Sequence, residues 1–92
     1  MLRLAWDERK RIGNLARHGL DFIDAPHVFD GLTFTFEDDR FDYGEQRFRT
    51  LGLLEGIVVS VLHAETPEIM RIISFRKATT REQAIYFVQI GN

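Results

Sequence analysis

The sequence predicts a single α+β domain over residues 1–92, with elements in the order β-α-α-β-β-β-β-α. Apolar residues recur at helical spacing near both ends of the chain, whereas alternating and β-branched residues dominate its middle. The last three predicted strands are joined by short connections, which favours an antiparallel meander. We therefore expect a sheet covered by helices on one face.

The first third of the chain carries clear helix signals. Asp7 is a suitable N-cap, Gly19 stands where a C-terminal glycine is expected, and Asp21 can cap a second helix. Pro26 is expected to bend or shorten that second helix. The predicted elements are a strand at Leu2–Trp6, a helix after Asp7 through Arg17, and a helix from Asp21 to Asp30.

The rest of the chain alternates apolar and polar residues until a last helix begins. Thr79 and Glu82 form a capping-box pattern at the start of this helix. An acidic loop at Glu37–Glu45 has some calcium-loop spacing, but Arg40 stands at a ligand position, so no metal or other cofactor is expected. The predicted elements are strands at Leu32–Phe36, Gln46–Leu53, Ile57–Glu65 and Ile69–Arg76, and a helix from Thr80 to about Ile90.

Composition limits the functional classes. The chain has no cysteine, which excludes a disulfide framework, and no apolar run long enough to cross a membrane. A cytoplasmic protein without membrane contact is therefore expected. The net charge is −2, but ten of the twelve cations are arginines and the acids cluster in the middle of the chain. A planar guanidinium binds phosphate with two donors, so the cations around the last strand-to-helix junction, Arg71, Arg76, Lys77 and Arg81, indicate a phosphate-bearing partner. An ordinary strand end with solvated charges is the alternative.

Turn lengths predict which side chains share a face. A three-residue turn ending at Gly56 pairs Arg49 with Val61, and this places Arg47, Arg49, His63 and Glu65 together. A three-residue turn around Pro67 adds Arg71 to that face. A four-residue turn, or a bulge, brings Arg76 there instead.

These groups are sufficient for metal-free cleavage of RNA. His63 or Glu65 can accept a ribose 2′-hydroxyl proton, and Arg71 or Arg76 can stabilise the charge that develops on the phosphate. Arg47, Arg49, Lys77 and Arg81 are the predicted RNA-binding residues. His63 as a core histidine and Glu65 as a cross-strand partner of Arg71 remain the alternative interpretations.

Motifs along nearly the whole chain resemble those of the BrnT family of bacterial toxins. They are Trp6-Asp7, Lys10, Asn14, Arg17-His18-Gly19, Phe22, Arg40, Tyr43-Gly44-Glu45, Arg47, and the segment Arg71–Thr79, in which Phe75 replaces the family's alanine. The resemblance implies a RelE-like ribonuclease fold, RNA cleavage that arrests growth, and neutralisation by a BrnA-like antitoxin, with a heterotetramer as one form of that complex.

Two other functions stay open at this point. The family's arginine after Glu65 is replaced by Thr66, which favours a toxin-like module that binds its antitoxin without cleaving RNA. A plain nucleic-acid-binding domain would instead bind RNA with strong salt dependence and no cleavage.

Overall fold

The computed structural model describes residues 3–91 and has five strands and three α-helices. The elements follow the predicted order except that a 3₁₀ turn precedes the second helix. Leu2, predicted to open the first strand, lies outside the described residues. The strands are β1 (Arg3–Trp6), β2 (Phe34–Glu37), β3 (Phe48–Leu54), β4 (Ile57–Glu65) and β5 (Ile69–Lys77), and the helices are α1 (Glu8–His18), α2 (Ala25–Phe29) and α3 (Thr80–Gln89), with the 3₁₀ turn at Phe22–Asp24.

Capping side chains fix the helix ends that the sequence predicts. Asp7 accepts hydrogen bonds from two backbone N–H groups of α1, and Gly19 ends the helix at a φ of 71°. Thr79 and Glu82 form both hydrogen bonds of the capping box. α2 begins only at Ala25, so Pro26 lies in the first turn, where its missing N–H has no partner to lose.

The sheet is mixed, with strand order β1-β5-β4-β3-β2. Strands β2 to β5 form the predicted antiparallel meander, whereas β1 pairs in parallel with β5. Side chains of paired residues point to the same side of the sheet. We call the side with Thr50, Val61 and His63 the histidine face, and the side with Arg49, Ser60 and Arg76 the arginine face.

Helices cover both faces of the sheet, so the prediction of helices on one face is wrong. Phe22 and Val28, from the 3₁₀ turn and α2, pack with Val59 on the histidine face. Tyr86 of α3 packs with Val58 on the arginine face. The physical reason lies in β4, which carries apolar side chains on both sides over much of its length and therefore needs cover on each.

The β3–β4 hairpin differs from its predicted register by one residue. Leu54 pairs with Ile57 across a two-residue turn, and Arg49 pairs with Leu62. Glu55 adopts a φ of 50°, the left-handed conformation that the prediction avoided. Because a shift of one residue moves side chains to the opposite side, Arg49 and His63 lie on opposite faces.

The β4–β5 hairpin follows the four-residue alternative, with Glu65 paired to Met70. A bulge then interrupts the ladder next to Leu62 and His63, where His63 pairs with Ile72 but Leu62 pairs with Ser74. Ile73 is therefore an extra residue in β5. Such a residue reverses the facing of everything beyond it, which decides where the arginines of β5 point.

Candidate functional site

The bulge at Ile73 brings Arg71 and Arg76 to the same face of the sheet. Residues five apart in a regular strand point to opposite sides. Here Arg71 pairs with Ala64 and Arg76 pairs with Ser60, both of which belong to the arginine face. Arg49 lies on this face as well. Arg71 and Arg76 were predicted as alternatives for a single face, but the structure places both of them on it.

A groove of about 480 Å³ lies where this face meets the start of α3. Arg49, Arg76 and Arg81 line it with several carboxylates. Arg76 donates to both carboxylate oxygens of Glu82, at 2.8 and 3.0 Å. Burial by itself would raise the pKa of Glu82, but hydrogen bonds from Arg76 and Thr79 outweigh it, and that pKa lies below its ordinary value.

Arg49 is held beneath the groove and is only 5 % exposed. Its guanidinium donates to the Ser60 hydroxyl at 2.7 Å and to the buried carboxylate of Asp38 at 3.2 Å. Burial and then the charge of Arg76 lower the pKa of Arg49. Hydrogen bonds from Arg40 lower the pKa of Asp38, despite its burial. Arg49 thus fixes the start of the acidic segment and adds positive potential from below.

A second groove, of about 420 Å³, lies at the Arg71 end of the same strands. Arg71 and Glu65 both line it, together with Glu45. Glu45 accepts hydrogen bonds from Arg71 and from Arg47, and these lower its pKa. Arg71 remains 45 % exposed at the side chain, so an anion can reach it from solvent.

His63 lies in the core and is 1 % exposed. Arg49 pairs with Leu62 and Arg71 pairs with Ala64, so the prediction that His63 shares a face with these arginines is wrong. Its Nε2 lies 2.7 Å from the Thr50 hydroxyl, and its ring packs against Phe29 and Phe48. Burial, followed by the charge of Arg49, lowers its pKa from 6.5 to about 4. The imidazole is therefore neutral at neutral pH and points away from solvent.

The other predicted residues divide between the two faces. Glu65 is at the end of β4, with its carboxylate 3.3 Å from His63 Nδ1. Lys77 pairs with Val59 and points to the histidine face, away from Arg76. Arg81 is exposed in the first turn of α3, and Arg47 lies over the ring of Tyr43. The predicted eight residues thus do not form one cluster.

Three carboxylates of the site were not predicted as site residues: Asp38, Glu45 and Glu82. Each holds an arginine of the arginine face. Only indirect signals could have indicated them. Glu82 is accounted for as part of a helix cap, and the other two resemble solvated acidic residues of a loop. Within residues 3–91 no group of three or more histidine and carboxylate side chains is arranged to hold a metal ion. None of the described helices combines the length and apolar character needed to cross a membrane.

Fold and site define a small α+β domain that presents arginines, braced by its own carboxylates, on a partly open sheet face. A family model described as "Ribonuclease toxin, BrnT, of type II toxin-antitoxin system" matches residues 6–82 of the 92-residue chain. The chain therefore belongs to the BrnT family of ribonuclease toxins, as its motifs predicted, and an antitoxin partner follows from that membership. No curated protein matches the chain.

Proposed function

We propose that the protein is a cytoplasmic endoribonuclease with a RelE-like fold, whose cleavage of cellular RNA inhibits translation and arrests growth. A BrnA-like antitoxin neutralises it, in a complex that can be a heterotetramer. The observation that carries this proposal is the bulge at Ile73, which aligns Arg71 and Arg76 with Arg49 on one face. RNA binds along this face.

The arginines have different roles because their exposure differs. Arg71 is accessible and binds the phosphate that is cleaved. Arg76 and Arg81 line the groove at the start of α3 and bind a neighbouring phosphate. Arg49 is buried and acts through its charge. Lys77 lies on the opposite face and is not part of this surface.

Glu65 is the proposed proton acceptor. It belongs to the histidine face, but as the last residue of β4 it lines the same groove as Arg71. His63 positions it from below. When Thr50 donates to Nε2 of the neutral imidazole, the proton of His63 lies on Nδ1, 3.3 Å from the Glu65 carboxylate. That Nδ1 has no regular hydrogen bond within the described residues, so Glu65 is the acceptor available to it.

These positions support the following proposed reaction. Glu65 takes the proton of the 2′-hydroxyl, and the 2′-oxygen forms a bond to phosphorus while the bond to the 5′-oxygen breaks. The leaving 5′-oxygen takes a proton from water, and the product carries a 2′,3′-cyclic phosphate. Arg71 stabilises the added negative charge on the phosphate, and no metal is needed in this scheme.

The test uses the purified chain, freed of its antitoxin, with RNA and with DNA of the same sequence in the presence of a chelator. We expect cleavage of RNA only, with cyclic phosphate ends. Arg71→Ala should lower the cleavage rate by about 10²–10³-fold. Arg9→Ala, which removes an exposed arginine of α1, should leave the rate unchanged. Equal degradation of DNA, or activity lost with the chelator, contradicts the mechanism.

A second candidate function is an interaction module that binds its antitoxin without cleaving RNA. It is favoured by the pairing of Arg49, Arg71 and Arg76 with carboxylates of the same chain, which neutralises the face internally. Expression without an antitoxin separates the two functions. Growth arrest supports the ribonuclease, and normal growth with folded, soluble protein supports the module.

A further inference from the structure

The acidic segment between β2 and β3 forms a closed loop rather than a solvated tail. Its ends meet where the Asp38 N–H donates to the carbonyl of Arg47 at 2.8 Å. Asp38 is buried beneath Arg49 and Arg40, and the Asp42 carboxylate accepts from the Gly44 N–H. The loop is thereby held over the sheet at its base and shaped at its tip.

The ring of Tyr43 in this loop contacts a second aromatic ring, that of Phe41, and the guanidinium of Arg47. Phe41 is 65 % exposed, and its ring lies edge-on to Tyr43 with centroids 5.8 Å apart. The guanidinium of Arg47 lies 4.3 Å from the centroid of the Tyr43 ring. The guanidinium of Arg40 also lies 5.6 Å from the centroid of the Phe41 ring. Two aromatic rings, each beside an arginine plane, thus form a planar surface at the loop that a flat ligand can stack on.

Glu45 connects this cluster to the phosphate-binding surface. Its carboxylate accepts from Arg47, which packs on Tyr43, and also from Arg71. A phosphate bound at Arg71 therefore lies next to the carboxylate that holds Arg47 against Tyr43. Unpaired RNA bases bind proteins by stacking on aromatic rings and on arginine planes.

We propose that Phe41, Tyr43 and Arg47 form a subsite that stacks an unpaired nucleobase of the RNA bound at Arg71. The subsite makes the protein select single-stranded over double-stranded RNA. This inference rests on the proposed function, because it assigns a binding role to a surface next to the same phosphate ligand.

Binding of a single-stranded RNA that cannot be cleaved tests the subsite. A fluorescently labelled oligonucleotide with 2′-O-methyl groups is titrated with the antitoxin-free chain and followed by anisotropy. We expect Phe41→Ala and Tyr43→Ala each to weaken binding about 5- to 100-fold, as loss of a stacked base does. Tyr43→Phe should retain the affinity, because it keeps the ring. A duplex of the same sequence should bind weakly to every variant.

Phe87→Ala is the matched control, since it removes another exposed phenylalanine, on α3, far along the chain from this loop. If Phe41→Ala and Tyr43→Ala both bind the RNA with wild-type affinity, the proposed subsite is wrong. The proposal of RNA cleavage is not affected by that result. Loss of antitoxin binding in these variants with unchanged RNA affinity assigns the cluster to a protein interface and overturns it too. A wild-type chain that neither binds nor cleaves RNA overturns the proposed function as well.

Discussion

Asn14 of α1 hydrogen-bonds both backbone groups of Phe75, donating to its carbonyl at 2.7 Å and accepting from its N–H at 3.0 Å. Strand β1 pairs with β5 only as far as Ile72. The amide of Asn14 therefore takes the place of a neighbouring strand just beyond that point. It fixes α1 against the part of β5 that follows the bulge.

Removing this amide should destabilise the fold. Asn14→Ala leaves the buried N–H and carbonyl of Phe75 without partners, which costs about 2–5 kcal/mol of unfolding free energy. Urea unfolding followed by circular dichroism measures the loss. Arg17→Ala, at an exposed position of the same helix, should change stability by less than about 0.5 kcal/mol. A loss below about 1 kcal/mol for Asn14→Ala contradicts the role of this side chain.

The common facing of Arg71 and Arg76 predicts that both contribute to RNA cleavage. Because each supplies charge to the same face, Arg71→Ala and Arg76→Ala should each lower the cleavage rate by about 10²–10³-fold. Lys77→Ala is the matched control, since Lys77 adjoins Arg76 in sequence but points to the opposite face. Toxicity on expression should fall in parallel, with the fold and antitoxin binding preserved. Full activity of Arg76→Ala together with loss in Lys77→Ala would place the RNA on the histidine face.

The lowered pKa of His63 predicts a decline of stability in mild acid. Above about pH 6.5 the imidazole is neutral in both folded and unfolded chains, and its contribution is fully present. Between the unfolded value of 6.5 and the folded value of about 4, only the unfolded chain takes the proton, so stability falls as pH falls. The loss over that range is about 3 kcal/mol, and below about pH 4 it grows no further from this group.

His63→Gln should flatten this dependence. Urea unfolding at a series of pH values gives the slope, which does not depend on how stable the variant is at neutral pH. His27→Gln, at an exposed position of α2, should keep the wild-type slope. An unchanged slope in His63→Gln would show that another group takes up the proton.

The strained turn between β3 and β4 predicts a stabilising substitution. Glu55 has a φ of 50°, which is unfavourable for glutamate, whereas asparagine followed by glycine suits this turn. Glu55→Asn should raise the free energy of unfolding by about 1 kcal/mol. Glu68→Asn, in the turn before β5, is the control and should change little. A destabilised Glu55→Asn would indicate that the Glu55 side chain contributes a contact that outweighs the backbone strain.

The order of the elements could be predicted because each carries a local signal. Capping residues mark the ends of α1 and α3, and alternation marks the strands. The side of the sheet to which each side chain points could not be predicted, because it depends on turn geometry and on one inserted residue. At Glu55 the hairpin tolerates a conformation that local preference disfavours. At Ile73 nothing in the apolar segment from Arg71 to Phe75 marks a bulge.

The burial of His63 shows the same limit for the site. A histidine between apolar residues of a strand is compatible with a surface or with a core, and the register of the β3–β4 hairpin decides between them. The arginines were predicted as phosphate ligands from their chemistry alone. Which carboxylates pair with these arginines depends on how the acidic loop folds back over the sheet. The spacing of residues along the sequence does not determine that.

The internal pairing of the arginines has a consequence for how RNA affinity responds to salt. In the proposed complex, an RNA phosphate at Arg71 would replace the carboxylate of Glu45, which pairs with Arg71 in the free chain. Added salt weakens the ion pair between Arg71 and Glu45 as well as the ion pair between Arg71 and the phosphate. These two effects on RNA affinity partly cancel. RNA affinity should therefore fall with salt concentration less steeply than expected for one counterion released per arginine. Glu45→Gln should make this salt dependence steeper.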